Sequence, residues 1–312
     1  MSFNLASLSS RAIRGFFFQQ LALSPTTWAD GIANLFDSDQ DTEDYPFVSH
    51  APVVRQWISG RHVKSLDAKG ATVTNLPYEG TLEVTAKERE QDKTGQIQIR
   101  INDLIRRFGT HWLSLLAVLI NNGHTALAWD GLSFFNNAHV NGDSGTIDNL
   151  HTLNIAGTPN DPTGGEMEKL ILAGVQQMFG FKDTEGEPLN EDATSFTVVA
   201  PVNYFSAMAA ALNSEILIDG STSRTNTLTK LGGFSFTPVI TPRMTADDKI
   251  FIFRNDTASK AIIRQEEKKV DLKSQAEGSH IEFTEGKHWY GIDARRGANY
   301  GMFEYAVSVQ AT

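Results

Sequence analysis

The most regular hydrophobic pattern of the chain lies between residues 102 and 123. Apolar side chains recur there at the i, i+3, i+4 and i+7 spacing of one helix face. They are Leu104, Ile105, Phe108, Trp112, Leu115, Leu116, Leu119 and Ile120. Asn102 or Asp103 suits the N-cap and Gly123 suits the C-terminal end, while Gly109 inside the pattern costs about 1 kcal/mol relative to alanine. The pattern predicts one helix of about five turns, a rod of ~30 Å on which other elements pack.

A polar region, residues 52–96, precedes this helix and alternates in the way that β-strands do. Leu82 and Val84 alternate with polar residues, and Val73 stands between two threonines. A second alternating run consists of Ile97, Ile99 and Ile101. Single carboxylates on the strands are predicted to be solvated, namely Glu79, Glu83 and Asp92. Two long strands with so little apolar surface do not form a stable sheet alone, so we predict an extended hairpin that packs on another surface.

The chain beyond residue 162 predicts a compact α+β unit followed by returning strands. Thr163 and Glu166 form the pattern of a capping box at the start of a helix. The predicted elements after that helix are a strand at 196–200, a helix at 201–212, a polar loop at 221–229 and strands at 234–241 and 250–253. Pro238 marks a bulge or a sheet edge. The C-terminal region predicts a strand at 288–294, a turn at 297–301 and an alternating strand at 303–309.

We predict that residues 1–44 form an arm rather than part of a compact unit. The Phe16-Phe17-Phe18 cluster cannot be buried within one short helix, so it needs another surface, either its own domain or a neighbouring subunit. The acidic run at 37–41 resembles the first half of a calcium loop, but Thr42 replaces the required glycine and Val48 replaces the closing glutamate. We therefore predict a solvated acidic linker at this position.

Composition narrows the class of protein. The chain has 312 residues, 40% of them hydrophobic and 21% charged, with a formal net charge of −10. This length can bury a large core and form two domains. The absence of cysteine excludes disulfides and thiolate chemistry and fits a reducing compartment. An acidic chain is a poor tight binder of nucleic acid. The longest apolar run is far below the ~20 residues that span a bilayer, and the N-terminus carries no export signal.

No pattern of residues argues for an active site. The loop at 140–162 and the residue before it offer four side chains of the types that bind metals, namely His139, Asp143, Asp148 and His151. They lack the His-x-x-x-His spacing of a strong metal site, so a metal-dependent hydrolase is kept only as an alternative. The segment 142–145 resembles a serine-protease nucleophile segment without its context, and 157–164 lacks the Lys-Ser/Thr of a phosphate loop. We predict no catalytic, cofactor or metal site, and no enzymatic activity.

An ordered series of motifs runs through the chain. Before the helix it comprises Tyr45, Arg55-Gln56-Trp57, Gly60-Arg61, Asn75, Tyr78-Glu79, Thr81, Gln91-Asp92 and Gly95. After the helix it comprises Asp130-Gly131, Phe134-Phe135, His139, Tyr290-Gly291-Ile292-Asp293, Arg295 and Asn299-Tyr300-Gly301. The series resembles the major head proteins of Mu-like tailed phages and prophages over nearly the whole chain. The family pattern has Arg-Glu-Trp where this sequence has Arg55-Gln56-Trp57, and Asp-Asp where this sequence has Gln91-Asp92.

The resemblance implies an α+β chain with the tailed-phage major capsid fold. Its parts would be an N-terminal arm at 1–51, an extended hairpin loop at 52–96 and an axial domain at 166–262. The peripheral domain would consist of two segments, 97–165 with the spine helix and 263–312 with return strands. The implied function is that of a major capsid protein whose copies form pentamers and hexamers in an icosahedral shell around double-stranded DNA. A shell-forming compartment protein of the same fold is the other alternative.

Further partners follow from the resemblance. A portal, a decoration protein and packaged DNA, held without sequence specificity, are the expected partners, and no membrane is expected. Since the sequence starts at Met1, we expect a scaffold on a separate chain. Some shell proteins of this fold cross-link through Lys and Asn side chains, but nothing marks Lys87 or Lys93 as activated, so no cross-linking is predicted. The expected location is the virion, with assembly in the cytoplasm of the host bacterium.

Overall fold

The computed structural model describes residues 15, 17–19, 28–46, 70–91, 96–219 and 222–312. Within these residues the helices, in chain order, are α1 (Ala29–Ile32), α2 (Ala86–Gln91), α3 (Gln96–Gly109), α4 (His111–Asn122), α5 (Gly164–Phe179), α6 (Phe205–Asn213), α7 (Thr227–Lys230) and α8 (His280–Glu285). The strands are β1 (Ala33–Asp37), β2 (Thr42–Tyr45), β3 (Ala71–Thr74), β4 (Leu76–Thr85), β5 (His139–Val140), β6 (Thr146–Ile147), β7 (Leu150–Leu153), β8 (Ser195–Ala200), β9 (Ile216–Asp219), β10 (Thr222–Thr225), β11 (Ser235–Ile240), β12 (Lys249–Arg254), β13 (Ile262–Gln275), β14 (Lys287–Tyr300) and β15 (Ala306–Ala311).

A four-stranded sheet has the order β1-β13-β14-β4. Its centre is the antiparallel pair of β13 and β14, each of 14 residues, joined at the tip by α8. Strand β4 extends antiparallel along β14, and β1 lies parallel to β13. Alternate residues of β14 are buried because α3 packs on one face of the sheet. The predicted strand around Leu82 and Val84 is therefore confirmed, but its partner is β14, near the C-terminus.

The long helix predicted for residues 102–123 is two helices, α3 and α4, separated at Thr110. The Thr110 hydroxyl donates hydrogen bonds to the carbonyls of Arg106 and Arg107, and such back-bonding after the flexible Gly109 favours a break. The end at Gly123 is confirmed. The prediction of a strand at 97–101 is wrong, because these residues form the first turns of α3.

The isoleucine run explains that error. Ile97, Ile101 and Ile105 are buried at i, i+4 and i+8 on the sheet side of α3, whereas Ile99 is 53% exposed. Ile97 and Ile101 would lie on one face both in a strand, where every second residue faces the same way, and in a helix, where residues four apart do. The contact with the sheet favours the helix. The second strand of the predicted hairpin does not exist at 97–101.

A five-stranded sheet has the order β11-β8-β12-β15-β7, and α5 packs across it. The capping box at the start of α5 is confirmed, since the Thr163 hydroxyl accepts from the Glu166 amide at 3.2 Å and the Glu166 carboxylate accepts from the Thr163 amide at 2.8 Å. At Gly174 the backbone of α5 approaches the sheet closely: an added Cβ would stand 2.5 Å from Ile252 Cδ1. Pro238 lies in β11, which pairs only with β8 among the described strands, so the edge prediction is confirmed.

Several local predictions differ from the structure. Strand β14 continues through residues 297–300, where a turn was predicted, because β13 pairs with it throughout. The alternating run at 303–309 begins with a 3-10 turn at Phe303–Tyr305 and becomes β15, buried on both faces in the five-stranded sheet. The predicted loop at 140–162 contains β6 and β7 and the end of β5, and the predicted loop at 221–229 contains β10 and most of α7.

The five-stranded sheet crosses the predicted domain boundaries. Strands β7 and β15 join β8 and β12 in this sheet, although the predicted boundaries place β7 and β15 outside the axial domain. The division into peripheral and axial domains stays a prediction.

The largest correction concerns the N-terminal region. Residues 28–46 are part of the fold, not an arm: Ala29, Ile32 and Ala33 are at most 2% exposed and belong to the main core. Phe17 is also fully buried, against the α3 face of the four-stranded sheet, so this phenylalanine docks on its own chain. The acidic residues at 37–41 are at least partly exposed in the turn between β1 and β2, as expected. The motif residues between 47 and 69, and Asp92 to Gly95, lie outside the described residues.

None of the helices in the described part of the chain combines the length and the apolar character needed to cross a membrane.

Candidate assembly surfaces and a buried polar cluster

Two of the four side chains considered as possible metal ligands, His139 and Asp148, form hydrogen bonds within the chain. His139 is buried, with Nδ1 at 2.5 Å from the Asp130 carboxylate and Nε2 at 3.2 Å from the Phe134 carbonyl. Asp148 caps the amide of Leu150, and His151 lies on β7 opposite Val309. The described residues contain no group of three or more side chains arranged to hold a metal.

Instead, His139 belongs to a buried polar cluster that joins the loop after α4 to the start of β15. The Phe303 ring stacks with the His139 imidazole and with the Trp129 indole, at centroid distances of 3.9 Å and 5.3 Å. The next residue, Glu304, is fully buried, and its carboxylate accepts from Asn141 Nδ2 at 3.0 Å. Its second oxygen, Oε2, has no partner among the described residues.

Burial controls the ionisation of Glu304. Loss of hydration raises the pKa of its carboxyl from 4.5 to about 7, since burial disfavours the charged form more than the hydrogen bond from Asn141 favours it. The negative charge of Asp130 acts in the same direction and His139 opposes it. This cluster can therefore change its charge near neutral pH, although nothing in it is arranged as a nucleophile with a base.

We expect Glu304→Gln to stabilise the protein above pH 7. The native state holds the Glu304 proton up to about pH 7, whereas the unfolded state releases it near pH 4.5, so stability is lost as pH rises through this window. The cost reaches about 3 kcal/mol at about 1.4 kcal/mol per pKa unit. Glutamine keeps the acceptor for Asn141 and never ionises. Urea unfolding at pH 5 and pH 8 should show a much larger gain at pH 8 than at pH 5.

The exposed Glu187→Gln serves as the control and should unfold with the pH dependence of the unsubstituted protein. A Glu304→Gln protein that is equally destabilised at both pH values would show that Glu304 stabilises the fold in its ionised form.

A second polar cluster lies between α4 and the four-stranded sheet. The Trp112 ring contacts two buried guanidinium groups, with Arg296 Cζ at 4.8 Å and Arg264 Cζ at 5.5 Å from its centre. Arg296 donates to Glu266 at 2.8 Å, and Arg264 donates to Asp30 at 2.6 Å. These contacts tie α1, α4 and β13–β14 together.

Exposed apolar side chains mark candidate assembly surfaces. The most exposed is Phe283 on α8, at 90% of its surface. Ile216 and Ile218 share the exposed face of β9, at 65% and 68%. Single exposed apolar residues need no explanation, but an aromatic ring at the end of a long hairpin is suited to contact another molecule.

The charged face of β4 is mostly engaged within the chain. Glu83 binds Lys287 at 3.1 Å and Trp289 Nε1 at 3.0 Å, and these bonds lower the pKa of its carboxyl. Glu88 caps α2 through a carboxylate that accepts from the Thr85 amide. The prediction that solvation alone explains Glu83 is wrong, since the returning strand β14 supplies its partners.

Sequence reasoning missed both Glu304 and Phe283. Glu304 gave no signal, because an isolated glutamate between aromatic residues does not reveal its burial. Phe283 did carry one: Ser279 and Glu282 have capping-box spacing and Gly286 follows, which is the pattern of a short capped helix.

The fold is that of tailed-phage capsid subunits. The procapsid protein of bacteriophage JBD30 superposes with a TM-score of 0.54 at 18% identity, over 97% of this chain and 76% of that chain. The mature capsid of bacteriophage PhiM1 gives a TM-score of 0.55 at 10% identity, over 92% of this chain and 88% of that chain. These similarities confirm the predicted α+β capsid fold.

The chain belongs to the family described as Mu-like prophage major head subunit gpT, which matches residues 7–163. It is 26% identical over 108 residues to the major capsid protein of Escherichia phage Mu, or 35% of each chain. It is 23% identical over 148 residues to the Mu-like prophage FluMu major head subunit of Haemophilus influenzae, or 47% of each. The chain thus spans about a third to a half of the length of these relatives. The motif at 290–301 lies outside the family match and stays a prediction.

Proposed function

We propose that this chain is the major capsid protein of a Mu-like tailed phage or prophage, and that its copies form an icosahedral head shell around double-stranded DNA. The observation that carries the proposal is the family match over residues 7–163, joined to a capsid fold that extends over nearly the whole chain. A formal net charge of −10 supports it as well, because a container must hold DNA without binding it tightly.

In this proposal the protein is structural and not an enzyme. The four-stranded sheet with α3 and α4 corresponds to the peripheral domain, and the five-stranded sheet with α5 and α6 corresponds to the axial domain. Copies meet as pentamers and hexamers through surfaces that bury apolar side chains. A separate scaffold, a portal and a decoration protein are proposed partners, the virion is the proposed location, and assembly takes place in the host cytoplasm.

Electron microscopy of the protein expressed with its genomic neighbours tests the proposal. We expect closed icosahedral particles that package double-stranded DNA when the complete set of head genes is present. Purified particles should contain nuclease-resistant DNA. Closed shells that hold a protein cargo and exclude DNA would instead indicate a compartment protein. Soluble subunits that never assemble, with stoichiometric bound metal, would favour the hydrolase.

A further inference from the structure

We propose that Phe283 of one copy docks into the groove between β4 and α3 of a second copy. The inference rests on the proposed shell function and deepens it by naming one contact between subunits. It brings together two features that lie on different parts of the same chain, an aromatic tip and an apolar groove.

The tip is built to hold Phe283 away from its own chain. Helix α8 is fixed at its start by the Ser279 hydroxyl, which accepts from the Glu282 amide at 3.2 Å. It is fixed at its end by Gly286, whose φ of 64° is suited to glycine. The Glu282 carboxylate also binds His288 at 2.7 Å and the Gly278 amide at 2.7 Å. A ring that is 90% exposed on a helix capped in this way is preorganised for a partner.

The groove has the size and the lining for such a ring. It encloses about 540 Å³, and its apolar lining comprises Tyr78, Leu82, Leu104 and Phe108. Gly80 lies at its floor, where an added Cβ would stand 2.9 Å from the Phe108 ring. The absence of a side chain at this position lets α3 approach β4 while the groove above stays open.

The charges around the two features are partly complementary. The tip carries Glu282 and Glu285 beside the ring, and Glu285 lies 3.5 Å from Lys287. The groove is lined by Arg100 and Arg107, both exposed on α3, and Arg100 lies 3.9 Å from Glu88. Two carboxylates, Glu79 and Asp103, line it as well, and Asp103 is paired with Arg106 at 3.2 Å, so Arg107 is the cation that we expect to meet a carboxylate of the tip. Complementary charges at the rim of a contact set its orientation more than its strength.

The tip cannot reach the groove of its own chain, so a contact between the two features joins two copies. Gly80 lies opposite Ile292 on β14, and the tip lies beyond Lys287, where that strand begins. The five residues from 287 to 292 extend the sheet by ~17 Å, so the tip projects past the end of the sheet whose face forms the groove. A contact between two different patches of identical subunits is heterologous, and repeated contacts of this kind close into rings.

Disulfide trapping tests the contact, because the chain has no cysteine of its own. Chains with Phe283→Cys and differently tagged chains with Asp103→Cys are assembled together with an equal part of unsubstituted chain and then oxidised. Asp103 lines the groove. The control replaces Asp103→Cys by Asn102→Cys, at the adjacent exposed position of α3, which is not among the residues lining the groove.

We expect at least tenfold more disulfide heterodimer with Asp103→Cys than with Asn102→Cys. Equal yields, or Phe283→Cys homodimers as the main product, would show that the tip docks elsewhere or meets another tip. Particles without any heterodimer overturn the inference and leave the shell function intact, whereas absence of particles from the unsubstituted chain overturns both. A second experiment measures assembly of two variants at position 283. Phe283→Ser should lower particle yield at least tenfold with an unchanged thermal melt, and Phe283→Leu should retain assembly. Normal assembly of Phe283→Ser would overturn the docking role.

Discussion

A chain shortened to begin at residue 45 should lose its fold, and not only its ability to assemble. The truncation removes α1 and β1, and with them Ala29, Ile32 and Ala33 from the main core. It also removes the five residues of β1 that pair with β13. We expect the shortened protein to be insoluble, or to lack a cooperative unfolding transition by circular dichroism.

The expected loss is large because several costs combine. Burial of a side chain such as Ile32 contributes about 1.5–3 kcal/mol. Arg264, only 4% exposed, would lose its hydrogen bonds to the Asp30 carboxylate and the Ala33 carbonyl. Leaving the buried guanidinium without these partners costs about 1–3 kcal/mol, since the Asp30 side chain is itself half exposed. Together with the exposed edge of β13, these costs approach the whole stability of an ordinary domain, about 5–15 kcal/mol.

Point variants on β1 and α1 separate this core role from an assembly role. Ile32→Ala should lower the free energy of unfolding by about 2–5 kcal/mol. Leu35→Ala, at a position that is 47% exposed, should change it by well under 1 kcal/mol. A shortened chain that unfolds cooperatively at the normal temperature would show that residues 28–44 are dispensable for folding.

Elements with strong local signals were predictable from the sequence. The capping box of α5 and the burial of Met167, Leu170, Ile171 and Met178 follow from residues close together in the chain. Strands β8 and β12 were predicted because continuous apolar runs between polar turns favour buried strands. The motif series predicted the family, which is confirmed over residues 7–163.

Elements that depend on distant partners were not predictable in this way. The N-terminal strand β1 has only five residues, too few to show a strand pattern, and its pairing with β13, more than two hundred residues away, makes it part of the fold. The run at 97–101 fits both a strand and a helix, and the four-stranded sheet selects the helix. The raised pKa of Glu304 and the exposure of Phe283 likewise depend on tertiary contacts that spacing does not encode.

Trp112 offers the sharpest test of the junction between the two helices and the four-stranded sheet. The sequence pattern predicted that it would be buried, and its exposure of 9% agrees. The structure adds that its ring contacts both Arg264 and Arg296, which are neighbours on one face of the four-stranded sheet. A cation over an aromatic face contributes about 0.5–2 kcal/mol.

Trp112→Ala should therefore lower the free energy of unfolding by about 3–5 kcal/mol for the lost packing alone, and by more if both cation contacts are lost. Trp112→Phe should recover part of this loss, because a smaller ring still offers an aromatic face to the guanidinium groups. Val118→Ala on the same helix is the control: Val118 is 56% exposed, and alanine is the better helix former, so its effect should be near zero. Urea unfolding of the unassembled subunit measures all three. A loss below about 1 kcal/mol for Trp112→Ala would mean that the ring contributes little, and that the junction is held by the ion pairs of the two arginines with Asp30 and Glu266.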